Sequence, residues 1–199
     1  MKWLTFGVAL ALSVATSAAQ EYPDRPEDDK GILVQETLKP GLVGRYFNFA
    51  KELQKFPSEV LAGQPAQLAR TDSQVNFEAK DGFGFGDLQW KQFFAVVWTG
   101  VLRVPSDGKY TLYLKSDDGS KLFLDGKELI SNDGKHRMDE DSKTVDLTAG
   151  DHNLKIEYFQ NKDKAGCVLS WKYEDVDKQV VPASAFWHKA DKEVDREAK

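Results

Sequence analysis

Between Leu38 and Trp187, apolar and polar residues alternate in short runs, and a turn signal stops each run. "KYTLYLKS" sets Tyr110, Leu112 and Leu114 on one side of an extended chain and Thr111, Tyr113 and Lys115 on the other. That two-residue period marks a strand with one buried face, because successive side chains point to opposite sides of a sheet. "FFAVVWTGVLRV" is long, β-branched and aromatic, and the "PSDGK" behind it supplies Pro105 and Gly108 for a turn. "SKLFLDGKELI" holds Asp125-Gly126 between two runs, the strongest short-range signal for a hairpin with a type I′ turn. "GLVGRYFNF" opens the series. "TVDLTAGDHNLKIEYFQ" repeats the pattern around Gly150-Asp151, and "CVLSWKYE" closes it with Leu169, Trp171 and Tyr173 on one face. About eight strands with regular turns and no alternating long helices predict an all-β fold, an antiparallel β-sandwich of jelly-roll-like form. Residues 50–70 break the alternation and carry Leu53, Phe56, Val60 and Leu61 at helix-compatible spacing, which predicts an insertion with one short helix.

The ends differ in composition from this block. Residues 1–19 combine Lys2, an apolar stretch and small residues before Gln20, the pattern of a secretory signal peptide. Residues 20–37 form a charged leader with two prolines, the sandwich domain is expected over 38–187, and 188–199 read as a charged, solvated tail. Export predicts a secreted, periplasmic or cell-surface protein, with no membrane span once the signal is cleaved. Without residues 1–19 the chain has 26 basic and 32 acidic residues, a net charge of −6. No basic stripe is present, so the electrostatic footprint of a nucleic-acid binder is missing. Cys167 is the single cysteine, which excludes an intrachain disulfide, and its place in a strand reads as a small buried hydrophobe.

At the end of one strand-like run stands "SDDG", with Asp117 and Asp118 adjacent. Two like charges repel unless a positive group sits between them. The residues alone allow two readings: a turn in which aspartates bond nearby backbone, or a site for a hard cation. An EF-hand is excluded, because placing Gly119 or Gly134 at loop position 6 puts Leu114 or Leu129 at position 1. "DGFGFGD" lacks the Lys-Ser/Thr of a phosphate-binding loop, and its phenylalanines are expected to pack between sheets. His136, His152 and His188 have no second ligand at metal spacing and read as surface residues, while Trp98 and Trp171 read as core. No nucleophile with a neighbouring base stands out, so the chain is not read as an enzyme.

The stretch from near Leu42 to Trp171, with W-T-G at Trp98 to Gly100, P-S-D-G-K-Y, S-D-D-G-S-K-L-F-L-D-G-K, L-T-A-G-D-H and L-S-W at Leu169 to Trp171, closely resembles the protective-antigen-type (PA-fourteen) domain. That β-sandwich occurs in a bacterial toxin, in glycosidases and in fungal flocculin adhesins. In the adhesin branch two adjacent aspartates joined by a cis peptide bind calcium, which in turn holds hydroxyl groups of a terminal sugar. Asp117 and Asp118 match that pair. The resemblance further implies ligands from the "QNKDKAG" loop, here Asn161 and Asp163, where Lys162 and Lys164 depart from the adhesin pattern. Nearby insertions line the sugar in the adhesins, which makes Asp81, Asp87 and above all Trp90 candidates for substrate contact. The resemblance thus implies a carbohydrate-binding module with calcium as cofactor and a glycan or polysaccharide as partner. A structural or protein-interaction module that binds neither is the alternative, as in the toxin branch, and a glycan-processing enzyme or accessory the third.

Overall fold

The structure, a computed structural model, describes residues 37–78, 85 and 88–195. The expected signal peptide, the expected leader apart from Thr37, and Asp81 and Asp87 lie outside the described residues. Strands β1 (Leu38–Pro40), β2 (Leu42–Asn48), β3 (Leu68–Asp72) and β4 (Asn76–Glu78) precede the long pair β5 (Phe94–Val104) and β6 (Gly108–Asp117). There follow β7 (Ser120–Leu124), β8 (Lys127–Asn132), β9 (Asp139–Leu147), β10 (Gly150–Gln160), β11 (Gly166–Tyr173), β12 (Val176–Val180) and β13 (Phe186–Lys189). The eight expected strands are β2 and β5 to β11. The five additional ones are three to five residues long, too short to show a period in sequence. Among the described residues the one α-helix, α1 (Ser58–Leu61), falls in the expected insertion.

Two antiparallel sheets face each other, as expected of a β-sandwich. One runs β1-β13-β5-β10-β7-β8, with β2 added to β5 and β3 to β2. The other runs β12-β11-β6-β9, with β4 added to β11. The alternation read in sequence is the alternation observed, since Tyr110, Leu112 and Leu114 are buried while Thr111, Tyr113 and Lys115 are half-exposed. Between the sheets lie Trp98, Leu102, Leu112, Leu122, Ile156 and Trp171, all nearly inaccessible. Full burial of such side chains contributes roughly 1.5–3 kcal/mol each, which makes this layer the main source of stability. Phe85 of the glycine-rich stretch packs into it, stacked on Phe77 at 4.6 Å, and Cys167 is fully buried. The β7-β8 turn has Asp125 at φ 49° and Gly126 at φ 79°, the two positive values that a type I′ turn requires.

A second, smaller apolar cluster lies on the outer face of the larger sheet. There the insertion lays Phe56 against Ala95 and Phe159, with Phe49, Leu53 and Leu61 around them. At the carboxyl end the stretch read as a solvated tail is tied down. His188 and Lys189 belong to β13, where Leu38 pairs with Lys189 and Lys39 with His188. Asp191 and Glu193 then pair with Arg45 at 2.5 and 2.8 Å, and Asp195 with Lys39 at 2.6 Å. His188 is therefore not a surface residue: it is 3% exposed, with Nδ1 at 3.0 Å from the Gly41 carbonyl oxygen.

Candidate functional site

Three connections cross between the two sheets at one end of the sandwich. The β6-β7 crossing is only Asp118-Gly119, so Asp117 and Asp118 are held where the chain leaves one sheet for the other. The β8-β9 crossing brings residues 133–138 and the β10-β11 crossing residues 161–165 to the same place. Gly119 is required here by space: a Cβ would lie 2.6 Å from both the backbone N and O of Gly134 and from the Phe159 ring. Ser116 and Ser120 bridge the crossing through their hydroxyls at 2.7 Å, and Tyr158 and Gln160 hold it from the facing strand. Tyr158 donates its hydroxyl to the Asp117 carbonyl at 2.6 Å, and the Asp118 N–H donates to Gln160 Oε1 at 3.2 Å. The Asn161 N–H donates to Asp118 Oδ2 at 2.8 Å, and the Phe159 N–H to the Gly119 carbonyl at 3.0 Å. The Asp117-Asp118 peptide is cis, as the resemblance implied.

Together these loops enclose a cleft of about 860 Å³ lined by Asp117, Asp118, Asn161 and Asp163. Its other walls are Glu52 from the insertion, residues 135–138, Lys162 and Lys164. Asp117 and Asp118 are 8% and 4% exposed, so both carboxylates sit at the floor. Burial and then the adjacent Asp118 charge push the Asp117 carboxyl up to about 6. Burial also raises Asp118, against the Asn161 amide that works to hold it down. The repulsion anticipated from sequence is therefore present, and the charges of His136 and Lys135 offset it only in part. Burial opposes protonation of His136, but its ring nitrogens face the Asn132 and Arg137 carbonyl oxygens at 3.0 and 2.7 Å, and these with Asp139 and Asp118 raise its pKa overall.

Of the residues anticipated as metal ligands, all four line this one cleft, yet their roles differ. Asn161 is tied to the insertion: Oδ1 accepts the Leu53 N–H at 2.7 Å and Nδ2 donates to the Leu53 carbonyl at 2.9 Å. Asp163 is exposed at the rim, at φ 67°. No group of three His, Cys, Asp or Glu side chains converges on one point among the described residues. Trp90 is elsewhere. It packs against the core and lines a separate cavity of about 380 Å³ with Gln67, Arg70 and Gln89. Sequence reasoning missed Glu52 and the run from Lys135 to Met138. Glu52 pairs with Lys135 across the mouth of the cleft, a contact between segments 83 residues apart that no local pattern announces.

Fold and cleft define an antiparallel β-sandwich module whose crossover loops, at one end, form a ligand-sized polar cleft. The chain belongs to the PA14 domain family, whose profile matches residues 38–185. Anti-sigma-I factor RsgI3 of Acetivibrio thermocellus is 28% identical over 163 residues, 81% of this chain and 23% of that protein. A solved anti-sigma factor domain-containing protein is 27% identical with a TM-score of 0.64, covering 76% of this chain and 48% of the other. This chain thus spans less than half the length of these relatives. The PA14 sugar-binding domain from an RTX adhesin shares the fold at 18% identity and a TM-score of 0.64, covering 75% of this chain and 98% of the adhesin domain.

Proposed function

We propose that this chain is a secreted, non-enzymatic carbohydrate-binding module that uses calcium held by Asp117 and Asp118. The observation that carries this reading is the placement of two buried, mutually repelling carboxylates at the floor of a cleft large enough for a sugar. A hard divalent cation with a preference for oxygen is the group that such a pair fits. Calcium takes six to eight oxygens, and Asn161 Oδ1, which accepts the Leu53 N–H, keeps a second lone pair. The protein side of the site is Asp117 and Asp118 with Asn161 and Asp163 of the facing loop, and the remaining positions fall to water and to ligand hydroxyls. When bound, the ion would fix the geometry of a hydroxyl pair that isolated hydrogen bonds in water hold weakly. The sugar-binding description of the adhesin domain with this fold supports the same class of ligand.

The test is calorimetric titration of calcium into chelator-treated protein beside Asp118→Asn. Saturable binding by the wild type alone is expected. Heat from neither protein would make the aspartates a turn device and leave the module to a protein partner.

A further inference from the structure

We propose that the glycan bound in this cleft is acidic, carrying a carboxylate beside the hydroxyl pair as a uronate does. The inference rests on the calcium reading above and deepens it.

The charges of the cleft wall carry the argument. Glu52 and Lys135 pair with each other and cancel. What remains is three acids, Asp117, Asp118 and Asp163, against three permanent cations, Arg137, Lys162 and Lys164. The two sets occupy different depths. Asp117 and Asp118 lie buried at the floor, whereas all three cations, together with Asp163, are exposed at the rim. With His136 neutral and no metal the wall is balanced, and any protonation of His136 only adds positive charge; a divalent ion on the floor leaves it at least two positive charges in excess. A neutral sugar would do nothing to offset that excess, and the rim cations would only repel the ion. A ligand that brings its own carboxylate answers both charges at once.

The rim is also placed to meet such a group. Arg137 and Lys164 form no ion pair among the described residues, so neither would have to surrender a partner. The Lys162 ammonium lies over the Phe93 ring at 5.3 Å, which fixes a side chain that would otherwise sweep freely through solvent. A planar carboxylate suits the guanidinium fork of Arg137, and its hydrogen bonds to charged donors are about twice as strong as neutral ones. Its oxygens are also hard donors that a calcium ion accepts alongside hydroxyls. In sequence Lys162 and Lys164 are a departure from the adhesin pattern; in the cleft they become a selectivity device.

Methyl uronosides and their methyl esters test this directly, since each ester differs from its acid in charge and hardly in shape. Galacto, gluco and manno forms would be titrated into the full chain at saturating calcium, and calcium alone would be titrated separately. At least one acid should bind about tenfold or more tighter than its ester, and the gap should shrink as salt rises from low to high ionic strength. In an Arg137→Gln, Lys162→Gln, Lys164→Gln variant the acid and ester should bind alike, while calcium alone binds as well as to wild type or better. Calcium binding with no preference for any acid overturns the proposal and leaves the calcium reading standing. So does an acid preference that survives in the triple variant. Absence of calcium binding to the wild type overturns the calcium reading and the proposal with it.

Discussion

The side-chain amide of Asn161 grips the backbone of Leu53 by both of its groups, accepting the N–H at 2.7 Å and donating to the carbonyl at 2.9 Å. Leu53 lies in the insertion and Asn161 in the β10-β11 crossing, so one buried side chain joins the cleft to the apolar cluster behind it. Asn161→Ala removes both bonds and strands two backbone groups. The expected cost is about 2–3 kcal/mol. Hydrogen exchange at Leu53 and at Phe56, whose N–H donates to Asp133 Oδ1 at 2.9 Å, should accelerate before exchange in the sheets does.

Asp72, 7% exposed, gathers the Tyr46 hydroxyl at 2.5 Å, the Trp98 indole N–H at 2.7 Å and Arg70 Nε at 2.8 Å. Asp72→Ala leaves these donors, one of them charged, without their acceptor. Loss of a buried partner of this kind costs about 3–5 kcal/mol. Tyr46→Phe deletes one donor to Asp72 and the acceptor of Arg70 Nη2 at 3.0 Å but leaves the other two donors in place, so its cost should be about 1–2 kcal/mol. Urea unfolding of the two variants would give this order, and equal losses would contradict it.

Gly119→Ala is expected to destabilise by about 1–3 kcal/mol, because the added methyl meets the Gly134 backbone and the Phe159 ring at 2.6 Å. The backbone of Gly134 cannot swing aside as a flexible side chain would. Calcium binding should weaken in the same variant, since the Asp117-Asp118 crossing must shift to make room. A variant with wild-type stability and affinity would show that the crossing is looser than the contact implies.

His152 is a second titrating device, on the opposite side of the chain's hairpins from the cleft loops. Burial opposes its protonation, but Asp125 Oδ2 at 2.7 Å and the Thr148 carbonyl at 2.9 Å outweigh that and raise its pKa above the ordinary 6.5. A raised folded-state value means that the pair's stabilisation is fully present below about 6.5 and is lost as pH rises through the folded pKa. The melting temperature of the wild type should therefore fall between pH 6 and pH 8 by more than that of Asp125→Asn. Asparagine tolerates the positive φ of position 125, so the variant keeps the turn. Parallel curves for the two proteins would remove His152 from the pH response.

What could be read from the sequence was what repeats locally. A period of two residues declares a strand where it runs well beyond five positions, so β5, β6, β10 and β11 were legible, as was the Asp125-Gly126 turn that needs two positive φ values. The S-D-D-G pair was equally visible, because adjacent like charges violate a local rule. Only the tertiary structure decided what surrounds that pair. Asp118 and Asn161 meet across 43 residues, Asn161 and Leu53 across 108, and Glu52 and Lys135 across 83. It also parted Trp90 from the cleft and buried His188 in a strand closed by the opposite end of the domain. The reason is physical. Strand formation is a property of neighbours along the chain, whereas a binding cleft is made by loops whose nearness depends on which strands the two sheets bring to the same end.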